Sequence, residues 1–212
     1  MIFFEDIQNN FNLYISSVSY ITMDFDKKKD ATLKNMIEND HSKKGCIDED
    51  IRGLIDSINS KNDYYTTSSC SGRITMMEHH GPKNKNSWLL SKHSPVTKEE
   101  FDDALLRKSN GEVWFRQESP ILHLCARDVK AGKIFLEISQ RAGFKYVYFL
   151  SVEPRVMLEV QGSEKMETII FKDKILVDDD YAKVLISEAN TKLLVAKEKL
   201  KRLHEFVSEF AT

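Results

Sequence analysis

Apolar residues recur at helical spacing in several segments of the 212-residue chain. In each of them the apolar positions lie three or four residues apart, so that they share one face of a helix. Flanking residues mark where some of these helices begin and end, because hydroxyl and carboxylate side chains cap the first turn and glycine ends the last. The predicted helices are 24–39, 48–59, a short one after the capping box Thr97–Glu100, and one from Asp128 to Gly143.

The C-terminal segment carries the most regular helical pattern. Asp178, Asp179 and Asp180 supply the negative charge that stabilises a helix start. A narrow apolar stripe follows at alternating spacings of three and four, formed by Leu193, Ala196, Leu200, Leu203, Val207 and Phe210. Such a helix is about 45 Å long at about 1.5 Å per residue. The stripe has two interpretations: it packs on the sheet of its own chain, or it pairs with a second chain in a homodimer.

Short runs rich in β-branched and aromatic residues predict strands between the helices. These runs are YYTT, GRITMMEH, SWLLSK, EVWFRQ, PILHLCAR, KYVYFLSV, RVMLEVQG, ETIIF and KILV. Strands and helices do not alternate regularly, and no GxGxxG follows a strand, so a Rossmann fold is disfavoured. We therefore expect an α+β fold in a single domain, with a mixed or antiparallel sheet flanked by helices. Its parts are an N-terminal extension over 1–22, a core over 23–177 and the C-terminal helix over 178–212.

Composition narrows the class of protein. With 41% hydrophobic and 30% charged residues the chain is globular. The cysteines Cys46, Cys70 and Cys125 are widely spaced and odd in number, which predicts a reducing, cytoplasmic setting. No uncharged apolar run approaches 18 residues, so we expect no membrane partner. The net charge of −2 hides a segment over 61–98 with six basic and two acidic residues, which predicts a local basic face.

The densest chemical signal is the run YYTTSSCSGR at 64–73. Hydroxyl groups and backbone N–H groups in a polar loop can form a nest for an anion, and Arg73 can add a bidentate contact to a carboxylate or phosphate. The alternative is an ordinary transition from strand to turn in which the hydroxyls bond their own backbone. Cys70 is a weaker candidate nucleophile, because no histidine has a catalytic spacing to it.

The next segment combines positive charge with an aromatic side chain. Lys83, Lys85 and Lys92 are candidates for phosphate contacts, and Trp88 is a candidate for stacking on a base. The alternatives are a solvated loop for the lysines and a core position for the tryptophan.

Two residues are candidates for acid–base chemistry, namely Glu118 and His123. The alternative, which composition alone favours, is a buried histidine with a hydrogen-bond partner. The histidine and cysteine spacings fit no zinc pattern, so we expect no metal site.

Taken in order, these segments resemble the tRNA wybutosine-synthesizing protein 3 family over about residues 24–160. The strongest stretch is DYYTTSSCSGR at 63–73. The other matching pieces are Phe25-Asp26-Lys27, Ser42-Lys43-Lys44-Gly45, Ile47-Asp48-Glu49 with Ile51-Arg52, Lys85-x-x-Trp88 with His93, Glu118 with Pro120-Ile121-Leu122-His123, and Ala142-Gly143-Phe144. The chain departs from the family after Phe144, where an apolar run follows Lys145. It departs again in a later strand, where Glu159 and Gln161 stand instead of an arginine.

The resemblance implies transfer of a methyl group from S-adenosylmethionine to N4 of a demethylwyosine precursor in the anticodon region of tRNA(Phe). It also implies an α+β fold distinct from the common methyltransferases. On this basis Ser68, Ser69, Ser71, Gly72 and Arg73 are predicted to hold the donor or a tRNA phosphate. Trp88 is predicted to stack on a base, while Lys83, Lys85 and Lys92 bind the tRNA backbone. His93, Glu118 or His123 orients the acceptor and takes its proton. The alternative function is a non-catalytic module that binds tRNA for a partner enzyme.

Overall fold

The computed structural model describes residues 24–36, 47–81 and 86–209. In these ranges the helices are α1 (24–36), α2 (Glu49–Asn59), α3 (Lys98–Leu106), α4 (Val129–Arg141) and α5 (Asp179–Glu209). The strands are β1 (Tyr64–Cys70), β2 (Arg73–His79), β3 (Ser87–Lys92), β4 (Glu112–Glu118), β5 (Ile121–Ala126), β6 (Tyr146–Ser151), β7 (Val156–Gln161), β8 (Met166–Lys172) and β9 (Lys174–Ile175). The extension expected over 1–22 and the last residues of the helix expected over 24–39 lie outside the described residues.

The strands form two antiparallel sheets. Sheet A has the order β1-β5-β7-β6, and sheet B has the order β3-β2-β4-β8-β9. The predicted α+β class with antiparallel pairing, flanking helices and a long C-terminal helix is therefore confirmed. The expected single sheet is divided in two, which a list of strands cannot reveal because pairing depends on contacts between distant segments.

The chain crosses between the two sheets three times at one place. Residues 71–72 join β1 to β2, residues 119–120 join β4 to β5, and residues 162–165 join β7 to β8. We call this place the sheet junction. Its three segments are in close contact: a Cβ on Gly72 would lie 3.0 Å from the Glu118 carbonyl oxygen and 3.1 Å from the Pro120 nitrogen.

Glycine is required at this junction. Gly72 has a φ of +84°, a conformation that side-chain-bearing residues rarely adopt. A Cβ on Gly162 would lie 3.2 Å from side-chain atoms of both Ser119 and Pro120, and its own N–H donates to the Pro120 carbonyl at 3.1 Å. The three crossovers therefore pack backbone against backbone and form a fixed platform.

Each sheet has its own apolar core, and helix α5 packs into both. The first half of α5 buries Leu185, Ala189 and Leu193 against sheet B. The second half buries Leu200 and Leu203 in the core that sheet A shares with α2 and α4. Near the middle of α5, the Lys199 ammonium donates to the Glu164 carboxylate on the third crossover, and both side chains are nearly buried.

The predicted apolar stripe of α5 is thus used inside the chain. Leu193, Ala196, Leu200, Leu203 and Val207 are all at most 3% exposed, and Phe210 lies outside the described residues. This packing agrees with the first interpretation of the stripe. None of the helices in the described part of the chain is long and apolar enough to cross a membrane.

The predicted helix starts are confirmed. The Thr97 hydroxyl accepts from the Glu100 N–H, and the Glu100 carboxylate accepts from the Thr97 N–H, which completes the capping box. The Asp128 carboxylate accepts from the Ala131 N–H at 2.7 Å, and Asp178 accepts from the Tyr181 N–H at 2.8 Å.

A pair of leucine variants on α5 tests this packing. We expect Leu203→Ala to lower the free energy of unfolding by about 2–5 kcal/mol, because the fully buried side chain leaves a cavity. Leu194→Ala is the matched control: its side chain is 51% exposed, so we expect a change within about 0.5 kcal/mol. Urea denaturation measures both, and equal losses would contradict the placement of α5.

Candidate active site at the sheet junction

The hydroxyl-rich run is a strand and not a polar loop. β1 continues to Cys70, and the connection to β2 is only Ser71 and Gly72. The pairing with β5 shifts register between Thr66 and Ser68, which indicates a β-bulge at Thr67. The bulge changes which face of the sheet the following side chains occupy. The predicted anion nest formed by all the serines is therefore not present as one loop.

The strand distributes the predicted donor-binding residues over different surfaces. Ser69 pairs with Leu122, whose side chain is in the core that sheet A shares with α2 and α4. Ser68 pairs with His123 on the opposite face of the sheet. Ser71 is fully buried at the junction, and Arg73 begins β2 in the other sheet. The structure therefore brings Ser71, Gly72 and Arg73 together and separates Ser68 and Ser69 from each other.

Asp48 anchors the first crossover. It is the N-cap residue of α2, yet its side chain makes no capping hydrogen bond. Its Oδ2 instead accepts from the Ser71 N–H at 2.9 Å and from the Ser71 hydroxyl at 3.2 Å. A cap of this kind is worth about 1 kcal/mol to a helix. The carboxylate has therefore been diverted from its local role to hold the junction.

His93 completes this anchor from the end of β3. Its Nδ1 lies 2.8 Å from the Gly72 carbonyl oxygen, and its Nε2 lies 3.3 Å from Asp48 Oδ1. A carbonyl and a carboxylate can only accept, so each ring nitrogen faces an acceptor, and the Ser71 hydroxyl also lies 3.2 Å from Nδ1. This geometry favours His93 as a positioning group that ties the crossover to Asp48.

A cavity of about 570 Å³ opens beside the junction. Its lining joins both sheets and includes Cys70, Arg73, Glu118, Ile121 and Gln161. Arg73 Nε donates to Glu118 Oε2 at 2.5 Å, so the cavity presents a cation and an anion side by side. The volume falls in the usual range for small-molecule sites.

β3 places Trp88 beside Arg73, one of the residues that line the cavity. The Arg73 guanidinium carbon lies 4.7 Å from its ring centroid, which is a cation–π contact. The ring is 38% exposed, so Trp88 is not the core residue that one interpretation of its strand predicted. It can stack on a flat ligand that enters beside Arg73.

Two buried polar atoms near the cavity lack partners among the described residues. They are Gln117 Oε1 and Arg116 Nε, and both residues line the cavity. Gln117 is 1% exposed. An unpaired buried acceptor costs about 1–3 kcal/mol, which a ligand donor can recover. Both atoms have almost no exposed surface, so a ligand reaches them only if the side chains move.

A second group of side chains lies on the face of sheet A opposite the core that it shares with α2 and α4. We call this the open face, because α1 covers only the part of it around Tyr65 and Cys125. Ser68 Oγ is 2.7 Å from His123 Nδ1, and His123 Nε2 is 2.7 Å from Glu159 Oε2. The Tyr148 hydroxyl donates to the other oxygen of Glu159. His123 is thus held between a hydroxyl and a carboxylate.

The thiol and metal alternatives find little support in the local contacts. Ligating atoms of Asp48, Cys70 and His93 lie within 4.8 Å of one another. Both Asp48 oxygens and both His93 nitrogens are engaged in the contacts described above. Burial raises the pKa of the Cys70 thiol, which makes it a poor nucleophile and a poor ligand.

The lysines predicted to bind RNA are not assembled into one surface in the described residues. Lys92 donates to Glu100 at 2.6 Å, so its charge is paired. Lys83 and Lys85 lie outside the described residues. The cations that do line the cavity are Arg73, Arg116 and Lys165.

Comparison with known proteins identifies the family. The model of the family described as methyltransferase TYW3 matches residues 27–209. The chain belongs to the TYW3 methyltransferase family. A relative from Pyrococcus abyssi is 37% identical over 171 residues, which are 79% of this chain and 88% of the relative. One from Methanocaldococcus jannaschii is 37% identical over 167 residues, 76% of this chain and 86% of the relative.

Both relatives are named as tRNA(Phe) 7-((3-amino-3-carboxypropyl)-4-demethylwyosine(37)-N(4))-methyltransferases. Among solved structures, the PH1069 protein from Pyrococcus horikoshii superposes with a TM-score of 0.82 at 34% identity, covering 88% of this chain and 97% of that one. A protein from Aeropyrum pernix has a TM-score of 0.67 at 28% identity, covering 76% and 98%. The family that the sequence resembles is thereby confirmed.

Sequence reasoning missed four residues of the candidate site. In the sequence, Asp48 was interpreted as part of a helix start and Gln117 as an ordinary strand residue. Glu159 was interpreted as a departure from the family pattern. Tyr148 lay within an apolar run. In a strand, alternation shows which side chains share a face. The register between strands distant in sequence, which brings Glu159 and Tyr148 to His123, has no such local signal.

The anchoring role of Asp48 can be separated from a helix-dipole effect. We expect Asp48→Ala to lower the free energy of unfolding by about 1–3 kcal/mol, because it leaves the buried donors of Ser71 unpaired. Asp50→Ala, in the same helical turn, removes a more exposed pair with Lys197 and should cost about 0–1 kcal/mol. Urea denaturation compares the two variants. Equal losses in the free energy of unfolding would show that Asp48 acts only through the helix dipole.

Proposed function

We propose that this chain transfers a methyl group from S-adenosylmethionine to N4 of 7-(3-amino-3-carboxypropyl)-4-demethylwyosine at position 37 of tRNA(Phe). Family membership and the names of relatives that align over most of their length support this assignment. The structural observation that carries it is the cavity at the sheet junction, where Arg73 and Glu118 lie side by side.

These residues fit the amino-acid end of the donor. A carboxylate suits the guanidinium of Arg73, whose planar fork can hold both oxygens. An ammonium suits the carboxylate of Glu118. The exposed ring of Trp88 offers a stacking surface for adenine or for the tricyclic base. Ser69 faces away from this set.

Methyl transfer places few chemical demands on the protein. When bound, S-adenosylmethionine supplies an electrophilic methyl group attached to a sulfonium. The protein residues must hold donor and acceptor in line and exclude water. The fixed junction serves this purpose, because Asp48 and His93 hold the crossover that carries Ser71 and Gly72.

We also propose contacts between basic side chains near the cavity and the tRNA backbone. Lys165 at the cavity rim adds positive charge that can meet the anticodon backbone, whereas Arg116 is paired with Glu167. We retain Lys83 and Lys85 as further contacts. All these residues come from one chain, so a monomer suffices for the site. Cys70 and Cys125 are free thiols, in keeping with a cytoplasmic enzyme.

Mass spectrometry of the tRNA tests the reaction directly. We expect purified protein with S-adenosylmethionine and tRNA(Phe) that carries the demethylwyosine precursor to add one methyl group to the tricyclic base. Unmodified tRNA(Phe) is the control and should gain none. Tight tRNA binding without any methyl gain would instead support the non-catalytic tRNA-binding module.

The role of Arg73 is tested by donor affinity. We expect Arg73→Ala to weaken binding of S-adenosylmethionine about 10- to 100-fold, the usual cost of one charged hydrogen-bonding partner. Arg141→Ala is the control, since Arg141 lies on α4 against Phe206 and away from the cavity. Isothermal titration calorimetry measures both, and near-normal affinity in the Arg73 variant would remove Arg73 from the donor site.

A further inference from the structure

Four side chains form a continuous hydrogen-bonded row across sheet A. The strand registers pair Ser68 with His123, His123 with Glu159, and Glu159 with Tyr148. The row therefore spans all four strands on the open face of the sheet. Its contacts run from the Ser68 hydroxyl through both imidazole nitrogens to both oxygens of Glu159.

The contacts along the row indicate which atoms donate and which accept. Burial alone would raise the pKa of Glu159, but hydrogen bonds from Tyr148 and His123 outweigh it and lower that pKa. Glu159 is therefore an ionised acceptor, and His123 Nε2 carries the proton that it accepts. A ring with its single proton on Nε2 has its lone pair on Nδ1, and the Ser68 hydroxyl lies 2.7 Å away, in position to donate to it.

The row lies next to the cavity. Cys70, Ile121 and Gln161 line the cavity and form a second row on the same face of the sheet. Each of them lies two residues along its strand from a member of the first row. The two rows are therefore about 7 Å apart along the strands. Ser68 is exposed, whereas the His123 side chain is 26% and the Glu159 side chain 13% exposed. A substrate bound in the cavity can reach the row at Ser68.

We propose that Ser68 relays the proton of the acceptor nitrogen to His123, with Glu159 and Tyr148 as positioning residues. This inference rests on the proposed function and assigns its missing proton acceptor. The nitrogen–carbon bond forms as the carbon–sulfur bond breaks, and sulfur keeps the electron pair. The proton on the nitrogen passes to Ser68 Oγ, while the hydroxyl proton of Ser68 passes to Nδ1. The resulting imidazolium is paired with Glu159 and returns its proton to water.

The geometry favours His123 over His93 for this step. His93 Nδ1 faces the Gly72 carbonyl and the Ser71 hydroxyl, which itself donates to Asp48, and Nε2 faces Asp48. Both nitrogens are therefore occupied at the junction. The groups that face His123 are the Ser68 hydroxyl from β1 and the Glu159 carboxylate from β7, with Tyr148 from β6 behind Glu159. The thiol of Cys70 and the phenol of Tyr146 lie in the adjoining row.

Serine variants test the relay. With matured tRNA(Phe) and S-adenosylmethionine, we expect wild-type kcat to fall at acid pH as His123 becomes protonated. Ser68→Ala should lower kcat about 10- to 100-fold and abolish this acidic limb, since general base catalysis contributes about 10²-fold or more. Ser68→Thr keeps the hydroxyl and should retain both the wild-type kcat and the acidic limb. Donor affinity, measured by calorimetry, should be the same in all three proteins.

Tyrosine variants test the positioning part of the row. Tyr148→Phe removes the hydroxyl that donates to Glu159, so the carboxylate holds the protonated imidazole more strongly. We expect the acidic limb of the pH–kcat profile to move to higher pH. Tyr146→Phe is the matched control, because it removes a hydroxyl of similar exposure two residues away on the same strand face. Its profile should match that of the wild type.

The outcomes separate the two proposals. Wild-type protein that transfers no methyl group would overturn the proposed function and the relay with it. An active wild type with an equally active Ser68→Ala variant would overturn the relay alone. So would a Ser68→Thr variant as defective as Ser68→Ala, a loss of donor affinity in Ser68→Ala, or identical profiles for the two tyrosine variants.

Discussion

The close packing of three crossovers between the sheets is the constraint on which the site depends. Gly72 and Gly162 have no room for a Cβ without displacing the backbone or side chains around Pro120. Because the sheets meet through backbone contacts, strand ends from both are held at fixed separation. Arg73 and Glu118 from sheet B and Ile121 from sheet A consequently line a single cavity.

The elements around the junction hold it in place from several sides. Helix α5 packs into both cores, and its Lys199 pairs with Glu164 on the third crossover. Asp48 leaves its own helix uncapped to bind Ser71. A local rule is broken here, as is common where a position serves a functional site. The rigid frame suits a reaction that depends on alignment of two substrates more than on chemical groups.

The fold was largely predictable because its signals are local. The capping box at Thr97, the acidic start at Asp178 and the stripe containing Leu200 each depend on residues within a few turns of one another. The division of the strands into two sheets was not predictable in this way. It depends on which strands pair, and pairs such as Ser68 with His123 join residues far apart in sequence.

The amino-acid sequence alone was enough to predict the α+β class, the main helices and the resemblance to the methyltransferase family, and to mark Arg73, Trp88 and His123 as candidates for the site. How these residues are grouped became visible only in the folded chain. The tertiary structure separated Ser68 from Ser69 by placing them on opposite strand faces, and it brought Glu159 to His123. The physical reason is that residue type and spacing specify local conformation and chemistry, whereas a site is assembled by register and packing between distant segments.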